Sequence, residues 1–189
     1  MKRFKARTSI SHPLQIAEVA TNAGLIGITF CPGKHNHFAV NGAWERDLHL
    51  DLDVIQHWGA QLVLTLVEHQ EMKELGVSQL GLEVEQRDID WVHLPIANHS
   101  TPSERFEADW LEEGYRLRQR LRNGERVLIH CKGGRGRAGM IAARLLVELG
   151  ANPDCAIEQV RSARTGAIET PSQLALVHRT RPMIDTISA

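Results

Sequence analysis

Hydrophobic and polar positions along the chain change period repeatedly, and the changes divide it into alternating strands and helices. The apolar run of residues 25–30 predicts a strand that Pro32-Gly33 stops. Residues 61–67 are almost continuously apolar, the pattern of a strand buried on both faces. A third strand over residues 90–96 is expected to end at Pro95, which cannot donate to a ladder. A fourth occupies residues 126–129. Between them the period becomes helical. Leu48, Leu52, Ile55 and Trp58 share a face in residues 44–58, which Gly59 ends, and a small helix fits residues 71–75. Ser78 is placed to cap a helix reaching Gln86, and Ser103 one over residues 104–122 with Phe106, Trp110, Leu117 and Leu121 inward. Residues 140–149 predict a buried helix ended by Gly150. Asn152-Pro153 opens another, to about Arg164, and Thr170 or Ser172 opens the last. Residues 1–24 read as a polar lead-in with weak helical character at residues 16–20.

This alternation predicts a single α/β domain over residues 25–186, with a central, mainly parallel sheet of four or five strands and helices on both faces. The 189 residues, 42% hydrophobic and 24% charged, suffice for such a core. A formal net charge of -1 provides no whole-protein field for nucleic acid, so any attraction for polyanions must be local. No apolar run has membrane-spanning length, and the first seven residues lack a secretory signal's apolar segment, so a cytoplasmic protein without membrane insertion is expected. Cys31, Cys131 and Cys155 form neither a disulfide framework nor a zinc knuckle. Cys155 reads as buried filling, and Cys31 as a core or loop cysteine, with pairing to an oxidised Cys131 the less favoured reading. Cys31, His35 and His37 lack a fourth ligand at a usual spacing, so no metal is expected.

The chemistry concentrates in residues 127–139. A short strand delivers His130 and Cys131 to the loop Lys132-Gly133-Gly134-Arg135-Gly136, and Arg137-Ala138-Gly139 opens a helix. Inward N–H groups backed by a helix N-terminus form an anion cradle that needs no metal. Arg137 can grip two phosphoryl oxygens with its planar fork. The positive surroundings favour a Cys131 thiolate able to attack phosphorus. His130, its neighbour on a strand, is expected to orient the loop rather than accept a proton. Gly134-Arg-Gly136-Arg-Ala-Gly139 also fits a dinucleotide fingerprint, but it does not follow the first strand, and a cysteine precedes it.

Cys131 to Arg137 resembles the Cys-x5-Arg signature of the cysteine-dependent protein tyrosine and dual-specificity phosphatases. Pro32-Gly33-Lys34, Leu94-Pro95-Ile96-Ala97-Asn98 with Thr101-Pro102, and Gly166-Ala167-Ile168-Glu169-Thr170 with Gln173 extend the likeness, which is greatest to the kinase-associated phosphatase group. The resemblance implies the three-layer fold of that family and phosphomonoester hydrolysis through a phosphocysteine, with no cofactor. Gln173 is then expected to position the attacking water, and Lys34 to wall the phosphate pocket with loop residues Lys132, Gly133, Gly134, Arg135, Gly136 and Ala138. The ligands implied are a phosphorylated protein, or a phosphorylated small molecule or headgroup, with phosphate or sulfate held in the loop.

Two positions depart from the family pattern. Asn98 occupies the place of an aspartic acid that protonates the leaving oxygen, and an amide has no titratable proton to give. His99, Glu104, Glu107, Asp109, Asp88 and Asp90 are the nearby alternatives. Ala138 replaces a serine or threonine hydroxyl that assists phosphocysteine breakdown, so slow dephosphorylation of the enzyme is expected. Lys132 and Arg135 also resemble the loops of phosphoinositide phosphatases, which keeps a polyphosphorylated headgroup as the alternative substrate. A catalytically weak phosphate-binding module is a further alternative. Glu68 and Glu71 read as a solvated helix start, Arg161 and Arg164 as surface residues, and the arginines of residues 104–122 as a solvated face.

Overall fold

The computed structural model describes residues 6–39 and 42–184; residues 1–5 of the lead-in and the expected domain end at Thr186 lie outside them. The chain order is β1 (Ala17–Ala20), β2 (Leu25–Phe30), β3 (His35–Asn36), β4 (Trp44–Glu45), α1 (Leu48–Trp58), β5 (Leu62–Thr65) and α2 (His69–Glu74). Then follow α3 (Leu80–Glu85), β6 (Asp90–His93), α4 (Glu104–Arg122), β7 (Arg126–Cys131), α5 (Gly136–Glu148), α6 (Pro153–Ala163) and α7 (Pro171–Arg179).

The main sheet has the order β1-β2-β7-β5-β6. β2, β7, β5 and β6 run parallel, and β1 is antiparallel to β2. This is the expected mainly parallel, five-stranded α/β sheet. All four residues of β5 and the last five of β7 are buried, because helices cover both faces. One core joins Ile26, Ile28, Leu64 and Ile129 to Leu117, Leu121, Ile141, Leu145, Val160 and Val177 of α4, α5, α6 and α7. The other joins Val63 and Leu128 to Leu52, Ile55, Met72, Leu80 and Val84 of α1, α2 and α3. β7 is the middle strand, so its carboxyl end opens at the centre of the domain, where ligand crevices form in parallel sheets.

Several local expectations are corrected. Residues 17–20 form a strand, not a helix: Val19 faces inward and pairs with Ile26, so the sheet begins before Leu25. Ladder hydrogen bonds from β2 override the weak helical pattern. Gln79, not Ser78, occupies the N-cap of α3, and it makes no side-chain capping bond. Ser103, Asn152 and Thr170 cap α4, α6 and α7 through their side chains as expected. Cys155 is exposed on α6 instead of buried.

The face of α4 is not uniformly solvated either. Arg118 is 2% exposed and bonds Glu148 of α5 at 2.6 Å. Glu148 also accepts from Arg144 at 2.8 Å and from Trp110 Nε1 at 2.9 Å. These contacts satisfy a carboxylate buried between helices, where an unpaired one would be excluded. Glu148→Ala leaves Arg118 without this buried counter-charge. It is expected to cost about 3–5 kcal/mol, read as a lower urea midpoint with an unchanged slope.

Candidate active site

Strand β7 ends in His130 and Cys131, and the loop of residues 132–135 leads into α5. Gly134 makes the loop possible: its φ is +65°, and an added Cβ would strike the backbone of Thr29 and Phe30. Three successive loop carbonyls are tied by cations from elsewhere in the chain. Lys34 Nζ donates to the Lys132 carbonyl at 3.1 Å, and Arg164 donates to those of Gly133 at 3.3 Å and Gly134 at 2.9 Å. Arg164 is therefore a loop clamp, not the surface residue expected. Arg161 likewise donates to the carbonyls of Ala167 and Ile168 at 3.1 and 3.2 Å. Ile168 there has φ +60°, a strained value for a β-branched residue, which these bonds help to hold.

Cys131, the expected nucleophile, is 3% exposed at the base of the loop. Arg137 is brought beside it but is not free. Its guanidinium donates to both oxygens of Glu71, at 2.6 and 3.0 Å, and to the Ile96 carbonyl at 2.8 Å. Burial opposes the charge on each partner, yet the mutual hydrogen bonds prevail: the Glu71 carboxyl is held below its ordinary range and the Arg137 guanidinium is raised. Glu71 also accepts from the Glu68 N–H at 3.0 Å, completing a capping box. The acid read as solvated is thus the anchor of the cradle's arginine. Sequence carried a signal for it only in retrospect, as an acid at a helix start just beyond a buried parallel strand.

His130 is fully buried, and burial pushes its imidazole down to about 3, so it is neutral. Its Nε2 lies 2.8 Å from Thr65 Oγ1, which accepts from Trp91 Nε1 at 2.9 Å. Cys31 lies in the α1–α3 core, whereas Cys131 belongs to the opposite one, and both are free. Burial pushes the Cys31 thiol up to about 12.

A cavity of about 660 Å³ stands over the loop. It brings together Lys34, Asn98, Lys132, Gly133 and Arg135 of the expected site, and adds Arg7, Trp44, His99, Arg164 and Glu169. Arg7 was missed because it acts from the lead-in: its backbone bridges Trp44 and its guanidinium rests 5.1 Å from that ring's centroid. Gln173 is wholly buried beside Gly136, where its Oε1 accepts from the N–H groups of Glu169 and Thr170 at 3.0 and 3.3 Å. Its Nε2 donates to the Ser100 carbonyl at 3.2 Å, tying the Asn98 loop to α7. Gly136 and Ala138 are buried at the start of α5. Of the alternatives to Asn98, Glu107 is committed to Arg144 at 2.7 Å, and Asp90 pairs with Arg120. His99 alone of them reaches the cavity, with φ +58°.

A parallel sheet with a Cys-x5-Arg cradle at the end of its middle strand defines a cysteine-dependent phosphatase domain. Residues 44–183 match the family described as PTP-SAK, a Swiss Army Knife protein DSP-PTPase phosphatase domain, and the chain belongs to it. It is 32% identical over 139 residues to Cyclin-dependent kinase inhibitor 3 of Homo sapiens, covering 72% of this chain and 64% of that protein. The chain thus spans somewhat less than two thirds of that relative's length. It is similar to a crystal structure of kinase associated phosphatase whose catalytic site cysteine is replaced by serine, with TM-score 0.76 and 28% identity over 88% of this chain and 93% of that one. It is similar also to Tk-PTP in the active form, with TM-score 0.62 and 27% identity over 85% and 93% of the two chains.

Two outcomes follow from this geometry. Glu71→Gln removes the charge that steadies Arg137, a charged hydrogen bond worth about 1.5–3 kcal/mol, so kcat/KM on an aryl phosphate is expected to fall about 10–100-fold. Burial pulls the Lys34 ammonium down to about 8. Its positive charge is present below that pH and lost above it, so competitive inhibition by inorganic phosphate should weaken as pH rises through about 8. In Lys34→Met that inflection should be absent.

Proposed function

We propose that the protein hydrolyses phosphomonoesters in two steps through a phosphocysteine at Cys131, with phosphorylated protein side chains as substrates. The observation that carries the reading is the cradle itself: Cys131 beneath a loop braced by Lys34 and Arg164, with Arg137 set by Glu71. In the first step the Cys131 sulfur forms a bond to phosphorus and the ester P–O bond breaks, while Arg137 and the loop N–H groups hold the developing charge. In the second, water forms the new P–O bond, the S–P bond breaks, and the pair returns to sulfur. Gln173, buried beside the loop, is the residue proposed to hold that water. The relatives named for protein phosphatase activity support phosphoprotein as the substrate class. Among the described residues no helix is long and apolar enough to cross a membrane, and the three cysteines are unpaired; we place the protein in the cytoplasm.

Asn98 shapes the substrate preference. Without an acid on its loop, the leaving oxygen departs largely unassisted, and a phenol with pKa near 10 leaves far more readily than an alkanol. Phosphotyrosine is therefore favoured over phosphothreonine. One observation favours a second reading, a polyphosphorylated headgroup: Arg7, Lys132, Arg135 and Arg164 converge on one cavity whose only lining carboxylate among the described residues is Glu169.

The test is a rapid-quench time course with a phosphotyrosine peptide, a phosphothreonine peptide and an inositol phosphate headgroup, using Cys131→Ser as the blank. Release above the blank, fastest from phosphotyrosine, is expected. Fastest release from the headgroup would select the second reading, and binding without release would reduce the protein to a recognition module. In Asn98→Asp, general acid help worth up to about 10²–10⁴-fold should raise the phosphothreonine rate more than the phosphotyrosine rate.

A further inference from the structure

Breaking a phosphocysteine requires a base to take a proton from the attacking water, and Asn98 cannot serve. Several of the other carboxylates are committed or line another cavity. Glu71 is bound by Arg137 and the Glu68 N–H, Glu107 by Arg144, and Asp90 by Arg120. Asp109 lines a separate cavity with His69 and His93. Glu169 is different. It is the one carboxylate lining the cavity over the nucleophile loop, and it makes neither a hydrogen bond nor an ion pair through its carboxylate among the described residues. Its backbone is fixed, since its N–H donates to Gln173 Oε1 at 3.0 Å and the preceding Ile168 is held in its strained turn by Arg161. Its Oε2 lies directly against Gly136, close enough that a side chain there would collide with it. Gln173 is adjacent, with Oε1 filled by two N–H groups and one Nε2 hydrogen given to Ser100. The second Nε2 hydrogen makes no further bond among the described residues.

We propose that Glu169 is the general base for hydrolysis of the phosphocysteine, a second-step counterpart to what Asn98 cannot supply; this rests on the phosphocysteine reading of Cys131. Water held by Gln173 loses a proton to the Glu169 carboxylate as its oxygen bonds to phosphorus. The S–P bond breaks, its electron pair returns to Cys131, and inorganic phosphate leaves. Glu169 then gives its proton to solvent.

The experiment compares the full chain with Glu169→Gln and Glu169→Asp on an aryl phosphate by rapid quench, with intact mass measurement of the enzyme during turnover. Glu169 is exposed, so the variants should fold as the parent does. For Glu169→Gln the first-turnover burst of aryl alcohol should stay within about 3-fold of the parent. Steady-state turnover should fall about 100-fold, within the span of general base catalysis, and a phosphorylated form dependent on Cys131 should accumulate. Added formate should recover part of the lost turnover, and Glu169→Asp should lie between. Steady-state turnover within 3-fold of the parent, or loss of the burst together with turnover, would overturn the assignment. So would the same accumulation appearing in His99→Gln and not in Glu169→Gln. Failure of the underlying reading looks different: the parent itself would release no more phosphate than Cys131→Ser.

Discussion

The buried pair between Arg137 and Glu71 is the constraint on which the rest of the site depends. An arginine that is 2% exposed cannot be carried without a counter-charge, and Glu71 provides it with both oxygens while the Ile96 carbonyl fixes the third direction. One guanidinium therefore locks α2, the segment after β6 and the first turn of α5 into a single arrangement. The fork is fixed by the fold itself, so ordering it would take little of the binding energy of the proposed phosphoryl ligand.

Around that anchor the loop is braced from outside and left charged within. Lys34 and Arg164 spend their donors on loop carbonyls, yet their charges remain directed at the cavity with those of Arg7, Lys132 and Arg135. Burial lowers both Lys34 and Arg164 from their ordinary values, and for Arg164 the Arg135 charge adds to the effect. Like charges gathered over a hollow are costly without an anion and relieved by one, which is the electrostatic logic of a phosphate site. Glu169 brings one carboxylate to this hollow, with its Oε2 lying against Gly136 of the loop.

The opposite side of the domain uses the same device for stability. Glu148 joins Arg118, Arg144 and Trp110 between α4 and α5, and Arg144 reaches on to Glu107. Both ends of α5 are thereby fixed by buried ion pairs, the first turn through Arg137 and the last through Glu148. The helix that begins the cradle is held along its length, and the orientation of its N-terminus follows.

Local signals were enough for much of this. Burial of β5 and β7 is written in their apolar runs, the caps at Ser103, Asn152 and Thr170 in single residues, and the cradle in the Cys131-to-Arg137 spacing, because each depends on neighbours a few residues apart. Asn98 and Ala138 stand out as departures only against the pattern of the resembled family. What the chain could not disclose locally were partners distant in sequence. Glu71 meets Arg137 across 66 residues, Arg164 reaches Gly134 across 30, and Arg118 reaches Glu148 across 30. A lone charge in a helical pattern looks solvated until folding removes the water around it, and strand β1 looks like weak helix until β2 offers a ladder. The sequence by itself determined the α/β architecture and the Cys-x5-Arg loop; only the tertiary structure decided which charges are buried in pairs and which line the cavity, since desolvation is a property of the packed fold and not of the chain.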